Sequence, residues 1–258
     1  MVNKKKSPLK DKPLRHAGQS LDEEINRLID EDAMPYLAGA LFLILIAAFE
    51  WYRWYIQIPP SPWIFTIMAV LFTAFTSYKI IKIRAKMANL KQGRDGEKAV
   101  GQYLENFRSA SSIKVFHDIK GNDFNIDHVL VSTKGIYLIE TKTHSKPAKG
   151  KTEILFDGKQ LYYNGVNHGD KIVIQVKAET KWLFELIEEL TAKKFPIQPV
   201  VVFPGWFVKM TNANDSGIWA CNPKGLPSFL KNQKEIMSLE DVQLVSNHLS
   251  RYIRSLEH

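Results

Sequence analysis

Two strongly apolar segments joined by a proline-rich link constrain this chain more than any other feature. Residues 33–49 carry no charge, and the apolar character continues through Trp51, Tyr52 and Trp54. Residues 63–78 are the second charge-free run. A helix needs about 20 residues to cross the hydrocarbon core. Flanking aromatics and snorkelling Lys79 or Lys82 extend each run to that length. Between them, Gln57-Ile58-Pro59-Pro60-Ser61-Pro62 ends one helix and starts the next. Residues 33–84 therefore read as a two-helix transmembrane hairpin. A cleaved signal peptide fits less well, because no small-residue cleavage site follows the first run. Buried helices of a soluble core are the other alternative.

Charge orients the hairpin. The chain has 258 residues and a formal net charge of +8. Lys4, Lys5, Lys6, Lys10, Lys12 and Arg15 precede the first span; Lys79, Lys82, Arg84, Lys86, Lys91 and Arg94 follow the second. The link region has only Arg53, close to Glu50. The positive-inside bias places both termini in the cytoplasm of a multi-pass inner (cytoplasmic) membrane protein whose basic flanks face anionic head groups. Residues 1–32 read as a basic, partly disordered N-terminus with a short amphipathic helix over 20–32. That helix opens on the capping box Ser20-Leu21-Asp22-Glu23 and ends near Pro35. The single cysteine, Cys221, excludes an internal disulfide. The closing Leu256-Glu257-His258 resembles the start of an expression tag.

Residues 93–255 read as a soluble α/β domain. The pattern predicts a helix over 95–107 and strands near 113–118, 126–133 and 136–143. A hairpin over 151–163 turns at Asp157-Gly158. A helix over 170–191, a strand over 198–203 and two helices near 225–232 and 238–255 complete it.

The chemistry concentrates in two β-rich runs, Ile126-Asp127-His128-Val129-Leu130-Val131 and Ile136-Tyr137-Leu138-Ile139-Glu140-Thr141-Lys142. Strand side chains alternate faces, so Glu140 and Lys142 share one face with Ile136 and Leu138. A two-residue turn at Lys134-Gly135 pairs Thr133 with Ile136. It sets Asp127 opposite Lys142 and diagonal to Glu140. Two carboxylates so placed repel one another unless a cation lies between them, and one pKa rises. His128 faces away from Asp127.

These residues carry a family resemblance. Gly93-Arg94-Asp95-Gly96-Glu97, Asn125-Ile126-Asp127-His128 and Gly135-Ile136-Tyr137-Leu138-Ile139-Glu140-Thr141-Lys142 resemble, in order, the motifs of the NERD (nuclease-related) domain, a member of the PD-(D/E)xK nuclease superfamily. The resemblance implies a restriction-endonuclease-like mixed central sheet flanked by helices. It implies Asp127 and Glu140 as metal ligands, with Glu97 completing the site from a helix. Lys142 would orient the attacking water, and Gln175 would assist from the following helix. The implied cofactor is Mg²⁺, with Mn²⁺ a substitute. The implied partner is nucleic acid, DNA before RNA, cut by phosphodiester hydrolysis. An oligomer is compatible with the chain.

Other residues weigh less. No two of His117, His128, His144 and His168 stand at a zinc-ligand spacing. Lys146, Lys149 and Lys151 form a basic run beside the proposed site, read first as a solvated loop and second as a phosphate contact. Trp206 and Trp219 are read first as packing residues and second as base-stacking ones. Two further functions compete: an inactive nuclease fold that binds nucleic acid or a scaffold partner at the membrane, and an envelope protein whose domain docks a partner.

Overall fold

The apolar and basic patterns resolve into two separate units, Ser20–Gln92 and a second formed by residues up to Gln19 together with Gly93–His258. The computed structural model describes residues 13–59, 61–109, 112–146, 152–211 and 216–256. Lys4, Lys5, Lys6, Lys10, Lys12, Lys149 and Lys151 lie outside the described residues.

In the first unit, helix α1 (Gln19–Arg27) runs through a π-helical stretch, Leu28–Ala33, into α2 (Met34–Tyr55). The expected stop near Pro35 does not occur. Proline lacks only a donor that the first turn of a helix leaves unused, and the wider π turn lies directly before it. After the link, helix α3 runs unbroken over Pro62–Glu105. The separate helix expected over 95–107 is its final part; the glycines at 93 and 96 weaken a helix but do not end it. Most large apolar side chains of α2 and of early α3 are exposed, including Phe42, Leu45, Phe49, Trp63 and Leu71. The link between the helices is braced. Glu50 accepts from Arg53 at 2.9 Å and from the Ser61 N–H at 3.1 Å. Trp51 donates to the Thr66 hydroxyl at 3.0 Å and meets Trp63 edge-on at 5.5 Å.

The second unit is built on a five-stranded mixed sheet. Strands β1 (Ile113–Lys120), β2 (Asn125–Ser132) and β3 (Gly135–Thr141) pair antiparallel. Strands β7 (Ile197–Val202) and β9 (Trp219–Cys221) then add in parallel, giving the order β1-β2-β3-β7-β9. Buried on both faces, the central strands read as nearly continuous apolar runs. One face meets helices α4 (Lys171–Thr191) and α6 (Leu239–Ser255) through Val129, Leu138, Val176, Leu183, Val245 and Leu249. The other packs Leu130, Tyr137 and Ile139 on Val100 and Leu104 of α3 and Leu226 of the short helix α5 (Leu226–Lys231). Ser238 caps α6 by accepting the Asp241 N–H at 3.1 Å.

A second sheet has the order β6 (Val166–Asn167), β5 (Leu161–Tyr163), β4 (Glu153–Phe156), β8 (Phe207–Met210). The expected hairpin is β4 (Glu153–Phe156) with β5 (Leu161–Tyr163), turning through 157–160. The sequence reading missed β6 (Val166–Asn167), β8 (Phe207–Met210) and β9, all of four residues or fewer. So short a run carries too little periodicity to stand out.

The N-terminal segment departs from the expectation of a loose tail. Leu14 packs against the core, and Arg15 and Ala17 are buried in this unit. Arg15 donates to Asp118 Oδ2 from Nε at 2.7 Å and from Nη2 at 2.6 Å. Asp118 has φ +52°, a left-handed conformation that aspartate tolerates better than most residues.

Candidate active site

The turn between β2 and β3 sets what meets what. Ser132 pairs with Gly135, Val129 with Leu138 and His128 with Ile139. The turn is therefore Thr133-Lys134, and the register lies two residues from the one expected. Gly135 opens β3 at φ +117°, which a side chain would oppose. A shift of two keeps every side chain on its face. Continued one step beyond the paired ladder, this register brings Asp127 across from Glu140 and not diagonal to it. Asp127 Oδ2 there accepts the Thr141 N–H at 2.7 Å.

Glu140, buried at 3 % exposure, is the centre of the cluster. Its Oε1 accepts from Lys142 Nζ at 2.6 Å and from Gln175 Nε2 at 2.8 Å. Lys142, just past the end of β3, also donates to Gln175 Oε1 at 3.1 Å. Gln175 donates in turn to Glu179 Oε1 at 2.7 Å. One amide on α4 thus clamps the acid, the lysine and a further acid. Glu179 escaped the sequence reading. Its signal was the i, i+4 spacing from Gln175, which places both on one helical face.

Glu97 enters from α3, where a close approach is built in. A Cβ on Gly96 would fall 1.8 Å from the Thr143 hydroxyl. Only glycine lets the segment leaving β3 press on the helix one residue before Glu97.

The electrostatics are those of crowded acids. Burial, then the charges of Glu140 and Glu97, raises Asp127 well above the usual carboxylate range. Burial, then Asp118 and Glu140, pushes Glu97 up to about 8. Burial, then Glu140, takes Glu179 to about 8 as well. Burial also raises Glu140, against the pull of Lys142. Burial opposes the Lys142 ammonium, but Glu140, Asp127 and Glu179 outweigh it and hold its pKa above normal. Glu140 Oε2 and Glu179 Oε2 are buried with no hydrogen-bond partner.

The expected residues are thus brought together unequally. Glu140, Lys142 and Gln175 touch; Asp127 is held beside them by Thr141; Glu97 is coupled to them through charge. Among the described residues, no three His, Cys, Asp or Glu side chains converge into a ready metal shell. Glu140 Oε1 is taken by Lys142 and Gln175. The all-oxygen donor set, the mutually raised carboxyls and the orphaned Oε2 of Glu140 nonetheless suit a hard divalent cation.

His128 does face away from Asp127. It meets His117 Nδ1 to Nδ1 at 2.9 Å, and His117 Nε2 meets Glu105 at 2.9 Å. Burial, then His117, lowers the His128 pKa well below normal.

No curated protein matches the chain. Among solved structures, Pyrococcus furiosus SfsA in complex with Ca²⁺ aligns at 15% identity over 50% of this chain and 54% of its own, with a TM-score of 0.26. Protein VC1899 from Vibrio cholerae aligns at 11% identity over 93% and 58%, with a TM-score of 0.29. The chain thus spans little more than half the length of either. Residues 92–204 match the family described as nuclease-related domain, and that segment of the chain is a NERD domain.

Proposed function

We propose that this domain hydrolyses phosphodiester bonds of nucleic acid, DNA in preference to RNA, with a divalent cation as cofactor. Mg²⁺ is the first choice and Mn²⁺ a substitute. The observation that carries the reading is the Glu140–Lys142–Gln175 cluster, ringed by Asp127, Glu97 and Glu179. Asp127, Glu140 and Glu97 would hold the ion. When bound, it would supply positive charge for the phosphate oxygens and acidify water.

The chain's own groups do the rest. Gln175 holds Lys142 in place without neutralising it. The ammonium, charged at any working pH, is placed to stabilise the charge that grows on the phosphate during attack. Thr141 fixes one Asp127 oxygen, so the carboxylate cannot swing away.

The test is nicking of single- and double-stranded DNA and RNA with Mg²⁺, for the purified protein and its Asp127→Ala and Glu140→Ala variants. Cleavage should vanish in both; undiminished cleavage removes the proposal. A second reading, an inactive nuclease fold that binds nucleic acid or a scaffold partner, is favoured by the absence of a ready three-ligand shell among the described residues. It requires binding that ignores metal and no cleavage anywhere in that panel.

The setting belongs to the same proposal. Two helices are long and apolar enough to cross a membrane, and only 11% of each apolar window is buried. A soluble core helix would hide such a face. We place the hairpin in the inner membrane with both termini cytoplasmic, where the nuclease could meet incoming DNA. A cysteine introduced at Ser61 should react with an impermeant maleimide from outside the cell, and the active-site variants should lose any restriction of incoming DNA.

A further inference from the structure

The segment leaving β3 passes the acidic cluster at Lys142 and continues into the wall of a separate groove between β8 and β9. Trp206 Nε1 donates to the His144 carbonyl at 3.2 Å, two residues beyond Lys142. Lys146 lies across Gly205, its Nζ 3.2 Å from where a Cβ would stand. The groove encloses about 780 Å³, within the ~300–1,000 Å³ typical of sites for small organic groups. Phe207, 68% exposed, and Phe229 stand along it, with Lys146 and Lys224 at its rim and the edge of buried Trp206 between. No carboxylate is among its described lining residues, and no described acid forms an ion pair with either lysine.

We propose that this groove holds an unpaired nucleotide of the nucleic-acid substrate, its base stacked on Phe207 and its phosphates met by Lys146 and Lys224. The inference rests on the nuclease reading for the identity of the chain that enters. The chemistry narrows it further. An exposed ring can stack only on a base whose face is free, which the paired interior of a duplex does not offer. Two ammonium groups with no carboxylate among the described lining residues suit a polyanion and disfavour an acidic or neutral apolar occupant. The continuous run from Lys142 through His144 to Lys146 connects that nucleotide to the acidic cluster. The expected substrate class is therefore single-stranded nucleic acid, or a duplex with an unpaired end.

The test measures binding in EDTA, where no cleavage can occur, with the full chain in detergent micelles. The probes are a labelled oligothymidylate of about 12 nucleotides, inside the ~4–16 that a comparable single-strand site engages, and a blunt duplex of the same length. Phe207→Ala should weaken oligothymidylate binding about 10-fold and duplex binding by less than about twofold; Phe207→Tyr should restore it. Phe207 is exposed, so neither change threatens the fold. Lys224→Ala should lower the slope of log affinity against log salt by about 0.7 for the single strand. Loss of both probes alike with Phe207→Ala, no effect of that change, or no oligothymidylate binding at all overturns the proposal. Binding that behaves as stated, with no cleavage when Mg²⁺ is restored, instead removes the nuclease reading and leaves the groove. Cleavage that ignores Phe207 does the reverse.

Discussion

Replacing Arg15 by alanine should destabilise the α/β unit severely, although Arg15 lies far outside the matched family segment of 92–204. Its side chain is 1% exposed and that of Asp118 is 3%. The guanidinium reaches both the Asp118 carboxylate, at 2.6 and 2.7 Å, and its backbone carbonyl, at 3.1 Å. Truncation leaves Asp118 buried without this cation, which costs about 3–5 kcal/mol. That is a large share of the roughly 5–15 kcal/mol by which domains hold together. At about 1.4 kcal/mol per factor of ten, amide exchange in β2 and β3 should accelerate roughly 100- to 4,000-fold. Hydrogen exchange on the full chain in micelles reads these strands apart from the hairpin. Acceleration below about fivefold would refute the claim that the N-terminal segment is structural. A double variant, Arg15→Met with Asp118→Asn, should recover most of the loss. It removes both charges, and asparagine keeps the left-handed backbone at 118.

Three further outcomes follow from the site. Gly96→Ala should abolish cleavage while leaving the central-sheet exchange rates within about fivefold, because the Thr143 hydroxyl 1.8 Å from the new Cβ forces Glu97 away from the cluster. Lys142→Arg should fail to rescue Lys142→Ala in the nicking assay, since a planar fork cannot reproduce the point charge held between Glu140 and Gln175. Glu97 and Glu179 titrate near 8 in the folded state against an ordinary 4.5. Between those values the folded chain binds more protons than the unfolded one, so metal-free stability should fall as pH rises from about 4.5 to 8. Thermal melts across that window should show the slope, Glu179→Gln should flatten it, and Mg²⁺ should stabilise more at pH 8 than at pH 5. A rise in metal-free stability across the same window would contradict the crowded-acid geometry.

The amino-acid sequence determined whatever depends on local period and composition. Alternation in β2 and β3 put Asp127, Glu140 and Lys142 on one face and His128 on the other, and the apolar runs with their proline-rich link defined two long helices. Those signals lie within a few residues of one another, and elementary backbone geometry converts them directly into placement. The tertiary structure decided what depends on partners distant in the chain. The strand register followed from which residues made the turn, and the helix through Pro35 and the one through Gly93 continued where local breakers argued for ends. Glu179 became part of the cluster only because α4 crosses the end of β3. Arg15 became a core residue only by meeting Asp118, 103 positions away. The groove at Phe207 arose where two short strands of different sheets came side by side. Such meetings are fixed by burial and packing summed over the whole unit, and no window of neighbouring residues contains that sum.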